Sequence, residues 1–222
     1  MWHDYDFLTA EKEFERSIEL NPRYAIAHHW FGVYLGLMGR YEEGYTELKR
    51  AIRLDPHAGV IHFGLGLVYL CSRRYDQAIE QLERALELDP SVAQAHVVLG
   101  VAYLCKSLNE PAIAAMQKGV QLSQGACVFI AGFGLAYATA GHEKEAQKIL
   151  NQLQELSKQR YLTPYLVARI TALDRKDKGL RWLETAYQER DVWMVFLKTD
   201  PRLDDLRADP RFEDLLRCMN FR

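Results

Sequence analysis

Residues 59–92 read GVIHFGLGLVYLCSRRYDQAIEQLERALELDPSV, and the pattern in this stretch returns at a fixed spacing on both sides of it. Leu65, Val68 and Tyr69, then Ala78, Leu82, Ala85 and Leu88, fall three and four residues apart, the period of one face of a helix. Ser72, Arg73 and Arg74 interrupt the apolar pattern between the two groups. Asp89-Pro90 then stops it, because proline cannot continue a helix and restricts the residue before it. The stretch is predicted to be a helical hairpin.

With Gly59 as the first place, the eighth place is Gly32, Gly66, Gly100 and Gly134, and becomes Ala168. The eleventh is Leu35, Tyr69, Tyr103 and Tyr137. The twentieth is Ala10, Gly44, Ala78, Ala112 and Ala146, and the thirtieth is Leu20, Leu54, Leu88, Leu122 and Leu156. Proline closes the unit at Pro22, Pro56 and Pro90, then gives way to Gln124 and Lys158. The period is 34 residues, that of a stacked array of helical hairpins. Small residues at the eighth and twentieth places let the two helices of each hairpin approach closely.

Leu65-Gly66, Leu99-Gly100, Tyr69, Tyr103, Ala78 and Pro90 give this pattern a resemblance to the tetratricopeptide repeat family. The resemblance implies an all-α fold, a right-handed α-solenoid whose first helices line a concave face and whose second helices lie outside. Residues 1–24 fit only the second helix of a repeat, so the opening helix is expected to lack its partner, as in a fragment or a surface that pairs elsewhere. Hairpins follow at 25–58, 59–92 and 93–126, with degenerate ones at 127–160 and 161–190, the last with a turn one residue short. Residues 191–222 break the period: an apolar run from Val192 to Leu197 precedes DPRLDDLR and DPRFEDLLR. In both, aspartate is placed to cap a helix and proline suits its first turn. Two short helices with Leu203, Leu206, Phe212 and Leu215 turned inward are expected to cap the solenoid. The same tail resembles the C-terminal ends of bacterial multidomain signalling proteins, in which such repeats follow an output domain.

The composition is that of an ordinary soluble chain, 49% apolar and 26% charged over 222 residues. A net charge of −2 provides no electrostatic footprint for nucleic acid or an anionic membrane, so neither is expected as a partner. MWHDYDF is not a secretory leader, and the four cysteines form no C-x-x-C pair, which points to a reducing, cytoplasmic setting. Gly119 to Gly141 is uncharged and long enough to span a bilayer, but the repeat register divides it into a turn and one buried helix.

His28, His62 and His96 share the fourth place of three successive repeats. Such a row could bind metal, but no carboxylate or cysteine recurs with it and packing is the expected role. Cys71 and Cys105 share the thirteenth place and are read as small apolar filler. There is no Ser-His-Asp or Cys-His pattern, no phosphate loop and no H-E-x-x-H motif, so neither enzyme activity nor a cofactor is expected.

The resemblance places the second, fifth, ninth, twelfth and thirteenth residues of each first helix on the concave side. In the four complete hairpins none of these is charged. His29, Val33, Leu37, Val60, Phe63, Leu67, Leu70, Val97, Val101, Leu104 and Leu135 are therefore the candidate partner-binding residues. Family members that clamp carboxylates use Lys, Arg and Asn at such places, so an apolar or amphipathic protein segment is the expected ligand. So long an apolar strip calls for a cover: a partner helix, the chain's own tail from Val192 onward, a second copy, or tight winding of the superhelix on itself.

Overall fold

The computed structural model describes residues 6–157, 162–172 and 175–221. Most of the MWHDYDF opening, the closing place of the fourth hairpin at Lys158 and part of the turn of the fifth lie outside the described residues.

The chain is an all-α solenoid. Helix α1 (Phe7–Leu20) is followed by α2 (Ala25–Leu37), α3 (Tyr41–Leu54), α4 (Gly59–Cys71), α5 (Tyr75–Leu88), α6 (Ala93–Cys105) and α7 (Asn109–Leu122). Helices α8 (Cys127–Thr139), α9 (Glu143–Ser157), α10 (Pro164–Thr171) and α11 (Lys176–Gln188) complete the hairpins. The 119–141 stretch is broken by a turn before α8, and among the described residues no helix is long and apolar enough to cross a membrane.

Two backbone devices repeat with the sequence. Each of the first four hairpins turns at a left-handed residue, Gly39, Arg73, Ser107 or Gly141, with φ between +59° and +83°. The N–H that follows, on Arg40, Arg74, Leu108 and His142, donates to the carbonyl of the eleventh-place residue at 2.9 Å, which ends the first helix by satisfying one of its orphan acceptors. At the eighth place, a Cβ added to Gly32 would lie 2.9 Å from the Gly44 carbonyl oxygen, and one added to Gly44 would lie 2.8 Å from that of Gly32. The helices of this hairpin touch backbone to backbone, as the small residues at those places require.

The histidine row is explained by a third repeating contact. Nε2–H of His28, His62 and His96 donates to the carbonyls of Pro22, Pro56 and Pro90, at 2.9, 3.3 and 3.1 Å. Each imidazole thus ties the start of one repeat to the proline that closes the one before. Nδ1 faces Glu47 in the first copy and Gln81 in the second; Ala115 stands at the corresponding place of the third, where His96 is more open to solvent.

The period ends at a tail that folds inward. Two 3-10 turns, Val192–Phe196 and Pro201–Leu206, precede α12 (Pro210–Cys218). Asp191, Asp200 and Asp209 each accept from the backbone N–H two residues on, so both DPR motifs start a helix in the expected way, the first a 3-10 turn and the second an α-helix. Leu203, Leu206, Phe212 and Leu215 are buried, and with Met194, Leu197 and Met219 they share one continuous core with residues of the first three hairpins. Among the described residues no first helix precedes α1, and α1 packs on the next repeat and on the tail. Phe14 of α1 packs on Phe31 and Tyr34 of α2, and Phe221 from the far end of the chain stacks on Phe7, with ring centroids 5.0 Å apart.

Candidate functional site

The first helices and the tail flank a half-open cavity of about 510 Å³. Of the eleven residues expected on the concave side, His29, Val33, Leu37, Val60, Phe63, Leu67, Leu70, Val97 and Val101 line it. Leu104 and Leu135 do not: Leu104 packs partly buried against the main core, and Leu135 is itself buried. The opposite wall is the chain's own tail, through Val192, Trp193, Val195 and Phe196.

The tail is pinned to the hairpins at several places. Nζ of Lys198 donates to the Met38 carbonyl at 2.9 Å. Arg73, at the turn after α4, donates through Nη1 to the Thr199 carbonyl at 2.7 Å and pairs through Nε and Nη2 with Asp204. The strongest attachment is internal. Asp200 is fully buried at its side chain, and its Oδ2 accepts from the Tyr165 hydroxyl of α10 at 2.9 Å. Oδ1 accepts from the Arg202 N–H at 3.0 Å, and the Arg202 guanidinium closes on both oxygens at 2.7 and 2.8 Å. Nε of Arg169 stands 3.6 Å from the same carboxylate. Burial raises the Asp200 pKa against the pull of Arg169 and Tyr165, and burial together with the adjacent carboxylate lifts the Tyr165 hydroxyl well above its ordinary value.

Tyr165, Arg169, Asp200 and Arg202 are the polar groups that the sequence reading missed. Two carried a usable signal: continued into the fifth hairpin, the same register puts Tyr165 at the fifth place and Arg169 at the ninth. A charge does therefore enter the concave face, from the hairpin where the repeat is most degraded. Asp200 was visible only as a helix cap, and its second role depends on the tail folding back.

His29 lies at the other extreme. It is 1% exposed, neither ring nitrogen has a hydrogen-bond partner, and its ring meets Trp30 edge-on at 4.8 Å. Burial lowers its pKa to about 4. In the unfolded chain the value returns to about 6.5, so between those limits the unfolded state binds more protons. The stability held in the neutral ring is complete above about pH 6.5 and is lost as the pH falls toward 4. From pH 7 to 5 the loss is about 2 kcal/mol. Urea denaturation at the two pH values should show it in the parent chain and not in His29→Phe; equal slopes in both would contradict it.

The Cys71 thiol is unreactive in character. Cys71 is buried and its pKa is pushed up to about 11 by that burial. Among the described residues no group of three or more His, Cys, Asp or Glu side chains is placed to hold a metal ion.

Models described as tetratricopeptide repeat match residues 23–91 and 63–126, together 23–126. Among solved structures, MamA is 24% identical and covers 69% of this chain and 90% of its own, with a TM-score of 0.59. MamA from Desulfovibrio magneticus RS-1 is 22% identical over 70% of this chain and 88% of its own, at 0.61. YrrB, a TPR protein with an unusual peptide-binding site, is 23% identical over 83% of this chain and 95% of its own, at 0.55. These likenesses show a shared solenoid fold. The search of curated proteins gives no match.

Proposed function

Residues 23–126 of this chain are tetratricopeptide repeats, and on that premise we propose that it is a non-enzymatic interaction scaffold that binds an apolar or amphipathic protein segment at its concave face. One observation carries the reading. Trp30, Val60 and Val192 are among the few large apolar side chains left exposed, at 49%, 42% and 38%, and all three line the concave cavity. The inner groove is covered by the tail, but its edge still presents an apolar strip of the kind that receives one face of a helix. Binding there rests on apolar burial and should depend little on salt.

The unit that acts is the array of hairpins 25–58 through 161–190 with the half repeat before it and the cap at 191–222. The resemblance of the DPR tail supports placing this array in the regulatory part of a larger bacterial signalling protein, in the cytoplasm. The same exposed strip supports a second reading, self-association through Trp30 and Val60. The two are separated by sedimentation over a concentration series, in which a persistent monomer counts against self-association. For the scaffold reading, Val60→Glu and Phe63→Glu should abolish capture of a partner while the helical circular dichroism stays unchanged. Capture that survives both charges would reject it.

A further inference from the structure

The cavity beneath the tail has a feature that the protein-binding reading does not use. Its walls are mostly apolar, with His29 and Gln94 among them, and its charged groups, Arg169, Asp200 and Arg202, meet with Tyr165 in its lining. A carboxylate has about four acceptor positions. Those of Asp200 are taken by the Tyr165 hydroxyl and by three donors of Arg202, its backbone N–H among them. Arg169 is 8% exposed and stands 3.6 Å from that saturated carboxylate, with its Nε buried and without an acceptor. Arg169 and Arg202 share the single Asp200 carboxylate at this end, so the charged lining carries one more positive than negative group. His29, on the same lining, is a second buried polar group with no partner. Buried polar groups are ordinarily satisfied, and an exception needs an explanation.

We propose that this cavity binds a small amphiphile bearing one carboxylate, its acidic head paired with Arg169 and its alkyl body lying along Val33, Phe63, Val97 and Trp193. The size and the charge both select this class. Pockets for small ligands measure about 300–1,000 Å³, and this one is about 510 Å³. A single turn of α-helix with its side chains, 10–12 Å across and 5.4 Å long, already fills roughly 400–600 Å³, so a helical peptide of useful length does not fit behind the tail. An excess of one guanidinium over carboxylate matches a monoanion, and the flat fork of arginine suits a carboxylate. A phosphate monoester, with a charge of about −1.5 to −2, would be only partly neutralised. The inference goes beyond the scaffold reading and concerns the charged end of the same cavity whose rim carries the exposed strip; titration with a small ligand reads it without any protein partner.

Calorimetric titration of the isolated chain with decanoate, decanol and decylammonium, each kept below aggregation, tests this directly. Decanoate should bind saturably at one site, at least tenfold more tightly than decanol, with decylammonium weakest, and should shift the fluorescence of Trp193. Arg169→Gln should abolish the preference of decanoate over decanol, whereas Arg169→Lys, which retains the charge, should keep most of it. Phe63→Trp, which fills the chamber, should weaken both ligands by tenfold or more. The proposal is overturned if decanoate does not saturate, if decanol binds as tightly, or if the preference survives in Arg169→Gln. Should the Arg169 variants fail to fold, the ranking of the three ligands on the parent chain decides the matter alone.

Discussion

Asp200→Ala is expected to lower the unfolding free energy by about 3–5 kcal/mol, the range for breaking a buried charge pair from one side. Its carboxylate has no exposed side-chain surface, and it serves Tyr165, Arg202 and the buried Arg169 together. Removing it leaves Arg169 without a counter-charge, the Tyr165 hydroxyl without an acceptor and the Pro201–Leu206 turn without its cap. Asp204 is the control. It also ties the tail to the hairpins, through Arg73, but both side chains are substantially open to solvent, and such a pair is worth at most about 1 kcal/mol. Guanidinium denaturation of both variants, followed by helical circular dichroism and by Trp193 emission, should show Asp200→Ala far less stable and Asp204→Ala close to the parent. Equal losses would mean that the buried carboxylate does not hold the tail.

Gly32→Val should cost about 3 kcal/mol, the upper part of the usual range for overpacking. The first atom added would lie 2.7 Å from Leu48 Cγ, 2.9 Å from the Gly44 carbonyl oxygen and 3.1 Å from Leu48 N. Two of these are backbone, so relief requires α2 and α3 to move apart. Gly132 in α8 gives the opposite expectation from the same residue type. A Cβ there meets only Val97 Cγ1, at 3.4 Å, and Gly132→Ala should gain up to about 1 kcal/mol of helix propensity. Thermal melts of the two variants decide it, and a Gly32→Val chain as stable as the parent would remove close approach as the reason for the eighth-place glycine.

That contrast marks what could be read in advance. Gly32, Gly66, Gly100 and Gly134 announce the hairpin because close approach of its two helices recurs, an added Cβ meeting a backbone oxygen of the second helix at the first three and the Ile149 side chain at Gly134, and a period makes it visible. The histidine row announced itself equally well, yet its purpose was hidden in a second spacing. Pro22 and His28, Pro56 and His62, and Pro90 and His96 are each six residues apart, a separation that acquires meaning only once a carbonyl at one repeat's end faces an imidazole at the next one's start. The concave face was legible for the hairpins 25–58 and 59–92 and, apart from Leu104, for 93–126, where hairpin geometry directs side chains inward. The tail in the groove was one cover among several, because local pattern does not determine how far a superhelix turns before its ends meet. Arg169 and Asp200 lie in different elements, 31 residues apart, and their pairing follows from that global turn.

The stacking of Phe221 on Phe7 bears on how the molecule comes apart. An open solenoid behaves as a one-dimensional chain of neighbours and frays from its terminal repeats. Here Phe7 and Phe221 hold the two described ends together, so the array is expected to melt as one cooperative body, which coincident thermal transitions by circular dichroism and tryptophan emission would show. The same closure slows assembly, since its contacts join residues separated by nearly the whole chain and the entropy of bringing them together must be met before any of them forms.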